Sequence, residues 1–203
     1  MAVFDHLAIS VARLGLGAAA IEALLGVPLE AGGVHPFMGT HNRLLSLGPG
    51  EYLEVIAIDP DAPPPGRPRW FRLDEFAGAP RLTNWIARTE GLDHALAQAP
   101  AGAGRAVDLA RGDYRWRMGV PDDGRLPFAD AFPALIEWQG DRHPAQALPD
   151  RGCRLLGLTL THPDADALRA ALPVSDPRIT VVTGSVPDLT ATLSTPTGVK
   201  ALP

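Results

Sequence analysis

Two glutamates stand inside segments that otherwise have the composition of buried β-strands. Glu54 interrupts YLEVIAI, and Glu137 interrupts LIEWQ. A carboxylate is costly in such a position unless it is paired, protonated, solvated or bound to a cation. If both side chains face one cavity, they either share a divalent ion, or one of them is protonated near neutral pH and can act as a general acid or base. The alternative is that each faces solvent or pairs with Arg115 or Arg117.

His6 is a third candidate, and it lies in the alternating segment VFDHLAISV, which predicts a strand. Its neighbours on the same face, Ala8 and Ser10, are small and leave room above them, as the floor of a pocket would. The larger apolar residues that alternate with them would pack against a helix. The alternative is a half-buried histidine that is hydrogen-bonded to a carboxylate such as the adjacent Asp5.

A second group of polar residues lies close to predicted turns. His41 and Asn42 follow the turn at Gly39, and His143 precedes Pro144 in GDRHPA. Loops at the rim of a sheet often carry binding residues, so these three residues are candidates for substrate binding. The alternative is a polar cluster that only stabilises the turns.

The segment YRWRMGV predicts a strand with two chemically different faces. Arg115 and Arg117 make one face cationic. The other face carries Tyr114, Trp116 and Met118 and is apolar. Arginines that face the pocket would suit a carboxylate or phosphate group of a substrate. If the aromatic residues face it, the pocket is apolar and the arginines are solvated, and the sequence does not distinguish the two.

Composition argues against several other classes of function. A formal net charge of −5 over 203 residues disfavours general nucleic-acid binding, which needs a basic surface. The chain has no Gly-rich phosphate loop, so no nucleotide or flavin cofactor is implied. Cys153 is the only cysteine, and it is interpreted as structural in a reducing, cytoplasmic location. The segment LGLGAAAIEALLGV is too short to span a membrane, and we expect no membrane association.

The elements that must position these residues form a repeat. A strand, a helix and about three further strands are expected in residues 1–60, and the same order starts again over residues 81–140. The Pro-rich residues 61–80 are interpreted as a surface linker with a short helical turn. A partial unit of one strand, a helix and two strands is expected over residues 150–203 and is interpreted as structural.

Aligning the two repeats brings the candidate residues into correspondence. The helix entries place Asn84 opposite His6, and the closing strands place Glu137 opposite Glu54. A slip of one residue would move a side chain to the other face of the sheet, because side chains alternate along a strand. With this alignment, His6, Glu54 and Glu137 are expected to meet in a single concavity.

The paired units resemble the vicinal oxygen chelate superfamily and, more closely, its glyoxalase-like domain branch. The resemblance rests on DHLAISV, HPFMGTHNRLLSLGPGEYLEVIA, RLTNWIART, YRWRMGVP and IEWQGDRHPAQALP. It implies an α+β fold in which paired βαβββ modules form a curved, cup-like mixed sheet, here with an extra C-terminal βαββ unit. It also implies a divalent metal held by His6, Glu54, Asn84 and Glu137, although Asn84 departs from the His or Gln usual at that position.

The same resemblance implies a small-molecule enzyme of the isomerase or lyase type. A divalent metal, which the sequence does not identify as Zn, Mn, Ni or Fe, would polarise vicinal oxygens of the substrate, and Glu54 or Glu137 would carry the proton. Two alternatives stay open. One is a metal-free protein that binds or sequesters a small molecule, and the other is a ring-cleaving dioxygenase in which His41 or His143 joins His6 at iron. The expected partner is a small-molecule substrate, and a homodimer is an allowed assembly.

Overall fold

The first repeat follows from its hydrophobic alternation. The alternating segment at the start is a strand, and the Ala- and Leu-rich segment after it is a helix closed by Gly26, whose φ of 73° suits glycine. The computed structural model describes residues 1–203. In it the first repeat consists of β1 (Val3–Ser10), α1 (Leu14–Leu25), β2 (Glu30–His35), β3 (Thr40–Gly48) and β4 (Glu51–Ile58).

The second repeat has the same order of elements. It consists of β5 (Arg81–Arg88), α2 (Leu92–Gln98), β6 (Arg105–Arg111), β7 (Tyr114–Val120) and β8 (Ala134–Trp138). A short helix, α3 (Pro144–Ala147), precedes the third unit. That unit consists of β9 (Arg154–His162), α4 (Ala165–Ala171), β10 (Ile179–Thr183), β11 (Asp188–Thr195) and β12 (Gly198–Ala201). It therefore has one short strand more than the sequence predicts.

The two repeats join into one eight-stranded sheet with the order β2-β3-β4-β1-β5-β8-β7-β6. In each repeat the first and last strands are parallel and the other neighbours are antiparallel, and β1 pairs antiparallel with β5 at the centre. The sheet curls until β2 contacts β6, so it has a concave and a convex face. The predicted α+β fold of paired modules around a cup is confirmed.

The first strands of the two repeats, β1 and β5, lie side by side and show which positions of the repeats are equivalent. Ala8 pairs with Asn84, and His6 pairs with Ile86. β1 begins at Val3 and β5 at Arg81, so matching the strands from their first residues makes Asn84 the counterpart of His6 and Ile86 the counterpart of Ala8. This part of the alignment agrees with the sequence prediction.

The closing strands correspond differently from the predicted alignment. Ala8 of β1 pairs with Glu54 of β4, while its counterpart Ile86 pairs with Ala134 of β8. Ala134 is therefore the counterpart of Glu54. Glu137 lies three positions further along β8, and an odd shift places its side chain on the opposite face of the sheet. The predicted correspondence of Glu137 with Glu54 is wrong for this reason.

The convex face carries the larger core. Leu7 and Ile9 of β1 belong to a cluster of 31 buried residues that also includes side chains of α1, α2 and the third unit. The third unit forms a second sheet with the order β10-β9-β11-β12, and Leu158 and Leu160 of β9 turn into this core. Cys153 is fully buried there. None of the helices combines the length and the apolar character needed to cross a bilayer.

The concave face is covered by the segment between the two repeats. This segment contains a 3₁₀ turn (Trp70–Glu75) in which Trp70, Phe71 and Leu73 are buried against the apolar residues of the cup. The sequence interpretation of residues 61–80 as a surface linker with a short helical turn has the turn right, but the segment is not a surface linker where these side chains are buried. Removing large apolar side chains from water lowers the free energy of the folded protein. The concave face of the cup is the surface against which these three side chains are buried.

Candidate active site

A small cavity lies between the concave face and the covering segment. It holds about 30 Å³, which is room for one or two water molecules and far below the roughly 300 Å³ or more of common ligand sites. Its polar lining consists of His6, His35, Tyr52, Glu54 and Arg111, and its apolar lining of Trp70, Phe71, Trp116, Met118, Ile136 and Trp138.

A bulge in β1 sends two consecutive side chains into the interior. The pairing with β5 shifts between Phe4 and His6, so Asp5 and His6 are both buried, although neighbours in a regular strand face opposite sides. Asp5 accepts hydrogen bonds from Nδ1 of His6 at 2.6 Å, Nε2 of His143 at 3.0 Å and Nε1 of Trp138 at 3.1 Å. Burial alone would raise the pKa of Asp5, but the hydrogen bonds from the two histidines outweigh it and hold the pKa well below its usual range.

Because Nδ1 of His6 is bound to Asp5, Nε2 is the nitrogen that faces the cavity. It lies 3.5 Å from the hydroxyl oxygen of Tyr52 and 3.8 Å from Oε2 of Glu54. The Tyr52 ring stacks on the imidazole, with 4.2 Å between the ring centroids. Burial, followed by the charges of Asp5 and Glu54, raises the pKa of Tyr52 well above its ordinary value. The hydroxyl therefore keeps its proton and can donate it in a hydrogen bond.

Glu54 is held by a chain of hydrogen bonds that begins in β2. The backbone N–H of Gly33 donates to Oδ1 of Asn42 at 2.9 Å, and Nδ2 of Asn42 donates to Oε1 of Glu54. A bulge in β2 allows this close approach, and a β-carbon at Gly32 would overlap the Asn42 side chain. With Oε1 engaged, Oε2 is the carboxylate oxygen directed towards the cavity.

His35 supports the same arrangement as a neutral ring. Its Nδ1 lies 3.0 Å from Oγ1 of Thr40, and its Nε2 lies 3.4 Å from Nδ2 of Asn42. Burial, with a smaller effect of the nearby Arg111, lowers the pKa of His35 to about 3. A neutral ring that accepts from Asn42 at Nε2 carries its hydrogen on Nδ1, where it donates to Thr40. His35 therefore helps to orient the amide that binds Glu54.

Arg111 supplies the positive charge of the cavity. It is the last residue of β6, is partly buried, and lines both the inner cavity and an outer groove. Its guanidinium carbon lies 5.5 Å from the ring centroid of Tyr114. No prediction from the sequence included this residue.

The arginines that were expected at the substrate, Arg115 and Arg117, lie outside the cup. Trp116 and Met118 of the same strand are buried in the concave core, so the arginines point to the other side. Arg117 binds Asp93 of α2 at 2.8 Å, and Arg115 donates to backbone carbonyl groups. Of the two alternatives left open by the sequence, the apolar face is the one that lines the pocket.

Glu137 is also outside the cup, because it alternates with residues that face inward. Its neighbours Ile136 and Trp138 line the cavity, whereas Glu137 lies 3.4 Å from the guanidinium of Arg117. The structure therefore does not bring Glu137 to Glu54, and the expected meeting of the two carboxylates does not occur.

The remaining predicted residues surround the cavity in different ways. His41 lies on the face of β3 opposite to Asn42, since the two are consecutive in a regular pairing. His143 joins the site through its bond to Asp5 and uses its Nδ1 to accept from a backbone N–H of α3. Asn84 is fully buried beside Ala8, and neither of its amide atoms has a hydrogen-bond partner.

The donors in the cup do not complete the expected metal site. Of the four predicted ligands, only His6 and Glu54 meet at the cavity. Glu137 faces away, and Asn84 offers a neutral amide that is absent from the cavity lining. No group of three His, Cys, Asp or Glu side chains is placed to hold a metal ion, whereas catalytic zinc sites take three protein ligands. The ligand set of a ring-cleaving dioxygenase is incomplete as well. His41 lies on the other face of β3, and both ring nitrogens of His143 are engaged in hydrogen bonds.

Some residues of the site were missed although the sequence contains a signal for them. Tyr52 alternates with Glu54 on β4 and so shares its face. Arg111 lies two residues after Leu109 on β6 and so shares its face, which is buried in the concave core. The alternation of the strand therefore indicated an arginine on the inward face. Asp5 had no such signal as an inward residue, because alternation assigns it to the face opposite His6 and only the bulge reverses this.

Comparison with protein families gives one match over most of the chain. A family model described as "Glyoxalase-like domain" matches residues 4–174. A search of curated proteins gives no match.

Solved structures resemble this chain at low sequence identity. A hypothetical protein from Staphylococcus aureus is 12% identical, with 93% of this chain and 88% of that chain covered and a TM-score of 0.63. Methylmalonyl-CoA epimerase from Mycobacterium tuberculosis is 19% identical, with 71% and 92% covered and a TM-score of 0.44. A xylose isomerase-like TIM barrel/4-hydroxyphenylpyruvate dioxygenase fusion protein is 14% identical, with 97% and 30% covered and a TM-score of 0.43. The first of these shows a shared fold, and none transfers an activity.

Proposed function

The chain belongs to the glyoxalase-like domain family of the vicinal oxygen chelate superfamily, and from this premise we propose that it is an enzyme that moves a proton at a carbon next to a carbonyl group of a small molecule. Glu54 is the proposed base. The observation that carries the proposal is the placement of this carboxylate, which is buried, has one oxygen held by Asn42 and turns the other to a small, mostly apolar cavity.

A general base needs an unencumbered atom within reach of the proton that it removes. Oε2 of Glu54 meets this condition, because no arginine or lysine forms an ion pair with the carboxylate. The ionisable group beside it is the His6 ring, with Nε2 at 3.8 Å from Oε2. Most of the lining side chains are apolar, and surroundings of low polarity strengthen electrostatic interactions inside the site. Glu54 is therefore placed to accept a proton from carbon rather than from solvent.

Removing that proton moves negative charge to the carbonyl oxygen, and the site has groups that can stabilise it. The hydroxyl of Tyr52 keeps its proton, because burial raises its pKa, and it can donate to the developing enolate oxygen. Nε2 of His6 lies on the same side, and it can donate to that oxygen when the ring carries a second proton in addition to the one that Nδ1 donates to Asp5. Return of the proton from Glu54 to a neighbouring atom gives an isomer, whereas an epimer requires a second acid that delivers a proton to the opposite face of the same carbon.

Substrate entry requires the cover of the cup to move. The cavity of about 30 Å³ admits no organic substrate as it stands. Phe71 and Arg72 in the cover have φ angles of 58° and 52°, and such left-handed conformations cost about 1 kcal/mol or more for residues other than glycine. We infer that the segment around these two residues opens, because its backbone is strained and its apolar side chains are what closes the cup.

Deuterium incorporation tests the proposal directly. Small carbonyl compounds would be incubated with the protein in D₂O, and loss of the signal of the hydrogen next to the carbonyl would be followed by proton NMR. We expect exchange with the wild type and a loss of about a hundredfold or more with Glu54→Gln, because the amide keeps the shape but accepts no proton. Glu137→Gln is the matched control, since it makes the same change on the convex side, and it is expected to keep the activity.

Equal exchange by wild type and Glu54→Gln would contradict the assignment of the base. Binding of carbonyl compounds by the wild type without any exchange would contradict the enzymatic proposal and favour the protein that only sequesters a small molecule.

A further inference from the structure

An outer groove lies next to the small cavity, and one side chain lines both. The groove has a volume of about 600 Å³ and lies between β2, the turn after β6 and the segment around α3. Arg111 lines the groove and also the inner cavity that contains Glu54. Once the cover of the cup has moved, a ligand that extends from the groove to Glu54 would therefore contact Arg111 on the way.

The charges of the groove leave Arg111 without a partner. The acids that line it are already paired, with Glu30 at 2.6 Å from Arg151 and Asp113 at 2.6 Å from Arg142. The side chain of Arg111 forms neither an ion pair nor a hydrogen bond with the chain, and its guanidinium lies over the ring of Tyr114. The planar guanidinium has five N–H donors, and it binds carboxylates in a two-pronged geometry.

The surrounding structure holds this unpaired side chain in place. A β-carbon at Gly33 would lie 2.8 Å from Cδ of Arg111, so β2 lacks a side chain where the arginine passes. Tyr114 supports the guanidinium from one side, and the positive charge reaches the cavity, where it contributes to the lowered pKa of His35. An arginine that is fixed in position but has no acceptor within the chain indicates an acceptor that comes from a ligand.

We propose that Arg111 binds a carboxylate group of the substrate, and that the substrates are small carbonyl acids of the 2-oxo or 3-oxo type. The carboxylate would pair with Arg111 at the end of the groove. Because Arg111 and Glu54 line the same small cavity, the carbon that loses its proton lies only a few bonds from that carboxylate. The position of the reacting carbon rests on the proposed function, whereas the binding of the carboxylate does not.

Calorimetric or tryptophan-fluorescence titration tests this inference, since Trp70, Trp116 and Trp138 all line the cavity. The probes are pyruvate, 2-oxobutyrate and acetoacetate, each compared with its neutral primary amide, and inorganic phosphate. We expect the wild type to bind at least one acid about tenfold or more tightly than its amide, and Arg111→Met to lose this preference. Arg111→Lys should keep part of it, because it retains the charge without the planar fork. Arg43→Met, which removes an exposed arginine from β3, is the matched control and should bind as the wild type does.

The inference is overturned if no acid binds better than its amide, if Arg111→Met keeps the preference, or if phosphate binds as tightly as the best acid. Glu54→Gln separates it from the proposed function, because this variant should lose proton exchange and still prefer the acids. A preference for acids that depends on Arg111, with no proton exchange in any protein, would sustain the carboxylate site and contradict only the enzymatic proposal.

Discussion

At the scale of single residues, a buried aspartate organises the site. Asp5 is fully buried and accepts hydrogen bonds from His6, His143 and Trp138. Its bond to Nδ1 fixes which nitrogen of His6 faces the cavity, as carboxylates do for functional histidines generally. A charge so deeply buried is tolerated because several donors surround it. The neighbouring histidine is thereby held in one orientation beside Tyr52 and Glu54.

His35 makes stability depend on pH in a defined window. Its pKa falls from 6.5 to about 3 on folding, mainly because of burial. Between these values the unfolded chain binds a proton that the folded chain does not, so this contribution to stability is complete above pH 6.5 and is lost as the pH falls towards 3. We expect the free energy of unfolding, measured with urea, to fall more steeply below pH 6.5 for the wild type than for His35→Gln.

The exposed His94 on α2 provides the control for this measurement. His94→Gln should retain the wild-type dependence on pH, because the His94 side chain is exposed to solvent and the change removes no buried ring. Parallel curves for wild type and His35→Gln over the whole window would show that His35 does not enter the folded state as a neutral ring.

At the scale of elements, two β-bulges aim the polar side chains. The bulge in β1 turns Asp5 inward beside His6, and the bulge in β2 brings Gly33 to Asn42. Bulges occur often next to active sites, because they change the direction of one side chain without ending the strand. Both bulges here lie in the first repeat and serve the residues that hold Glu54 and His6.

Gly32→Ala tests the bulge in β2. A β-carbon there would overlap the side chain and backbone of Asn42, which must then move and release Glu54. We expect a loss of about 1–3 kcal/mol in the free energy of unfolding, the usual cost of overpacking, together with loss of proton exchange. Urea midpoints measure the first effect, and the NMR exchange assay measures the second.

Gly15→Ala is the matched change for this test, because a β-carbon there meets nothing within 4 Å. It lies near the start of α1 and should stabilise the protein by up to about 1 kcal/mol through helix propensity. If Gly32→Ala were as harmless as Gly15→Ala, the bulge would not be what positions Asn42.

At the scale of the whole molecule, a symmetric scaffold carries an asymmetric site. The first repeat contributes His6, Tyr52 and Glu54, while the second contributes Arg111 and most of the apolar wall. The counterpart of His6 is Asn84, and the counterpart of Glu54 is Ala134. The second repeat therefore completes the cup without repeating its ionisable groups.

This asymmetry leads to an expectation for metal ions. Because only His6 and Glu54 meet as ordinary donors, we expect added manganese or zinc to leave the melting temperature of the wild type unchanged. A ligand stabilises a folded protein only to the extent that it binds. Glu54→Gln should melt at the wild-type temperature or above it, since it removes a buried charge and keeps an oxygen for Asn42.

Thermal melts of both proteins, with and without each metal after treatment with a chelator, provide the measurement. Stabilisation of the wild type by either metal, absent in Glu54→Gln, would contradict the expectation. Asn84→Ala in the same melts would then test whether its buried, unpartnered amide is the missing third ligand.

The sequence by itself determined the local elements and their repetition. Alternation in VFDHLAISV placed His6 opposite the apolar face of β1, and the order of strands and helices indicated paired modules around a cup. Glu54 was recognisable because it interrupts an apolar strand. These features depend on residues close together in the chain, and periodicity reports them directly.

Only the tertiary structure decided which side chains meet. A shift of three residues in the closing strands moved Glu137 out of the cup, and a bulge brought Asp5 into it. Arg111 reached the cavity because the sheet curls far enough to bring β6 to β2. Register, bulges and curvature arise from pairing between strands that are distant in sequence, and a shift of one residue reverses the face of a side chain. The strands could therefore be predicted from the sequence, whereas the pairing of the strands determined which residues form the site.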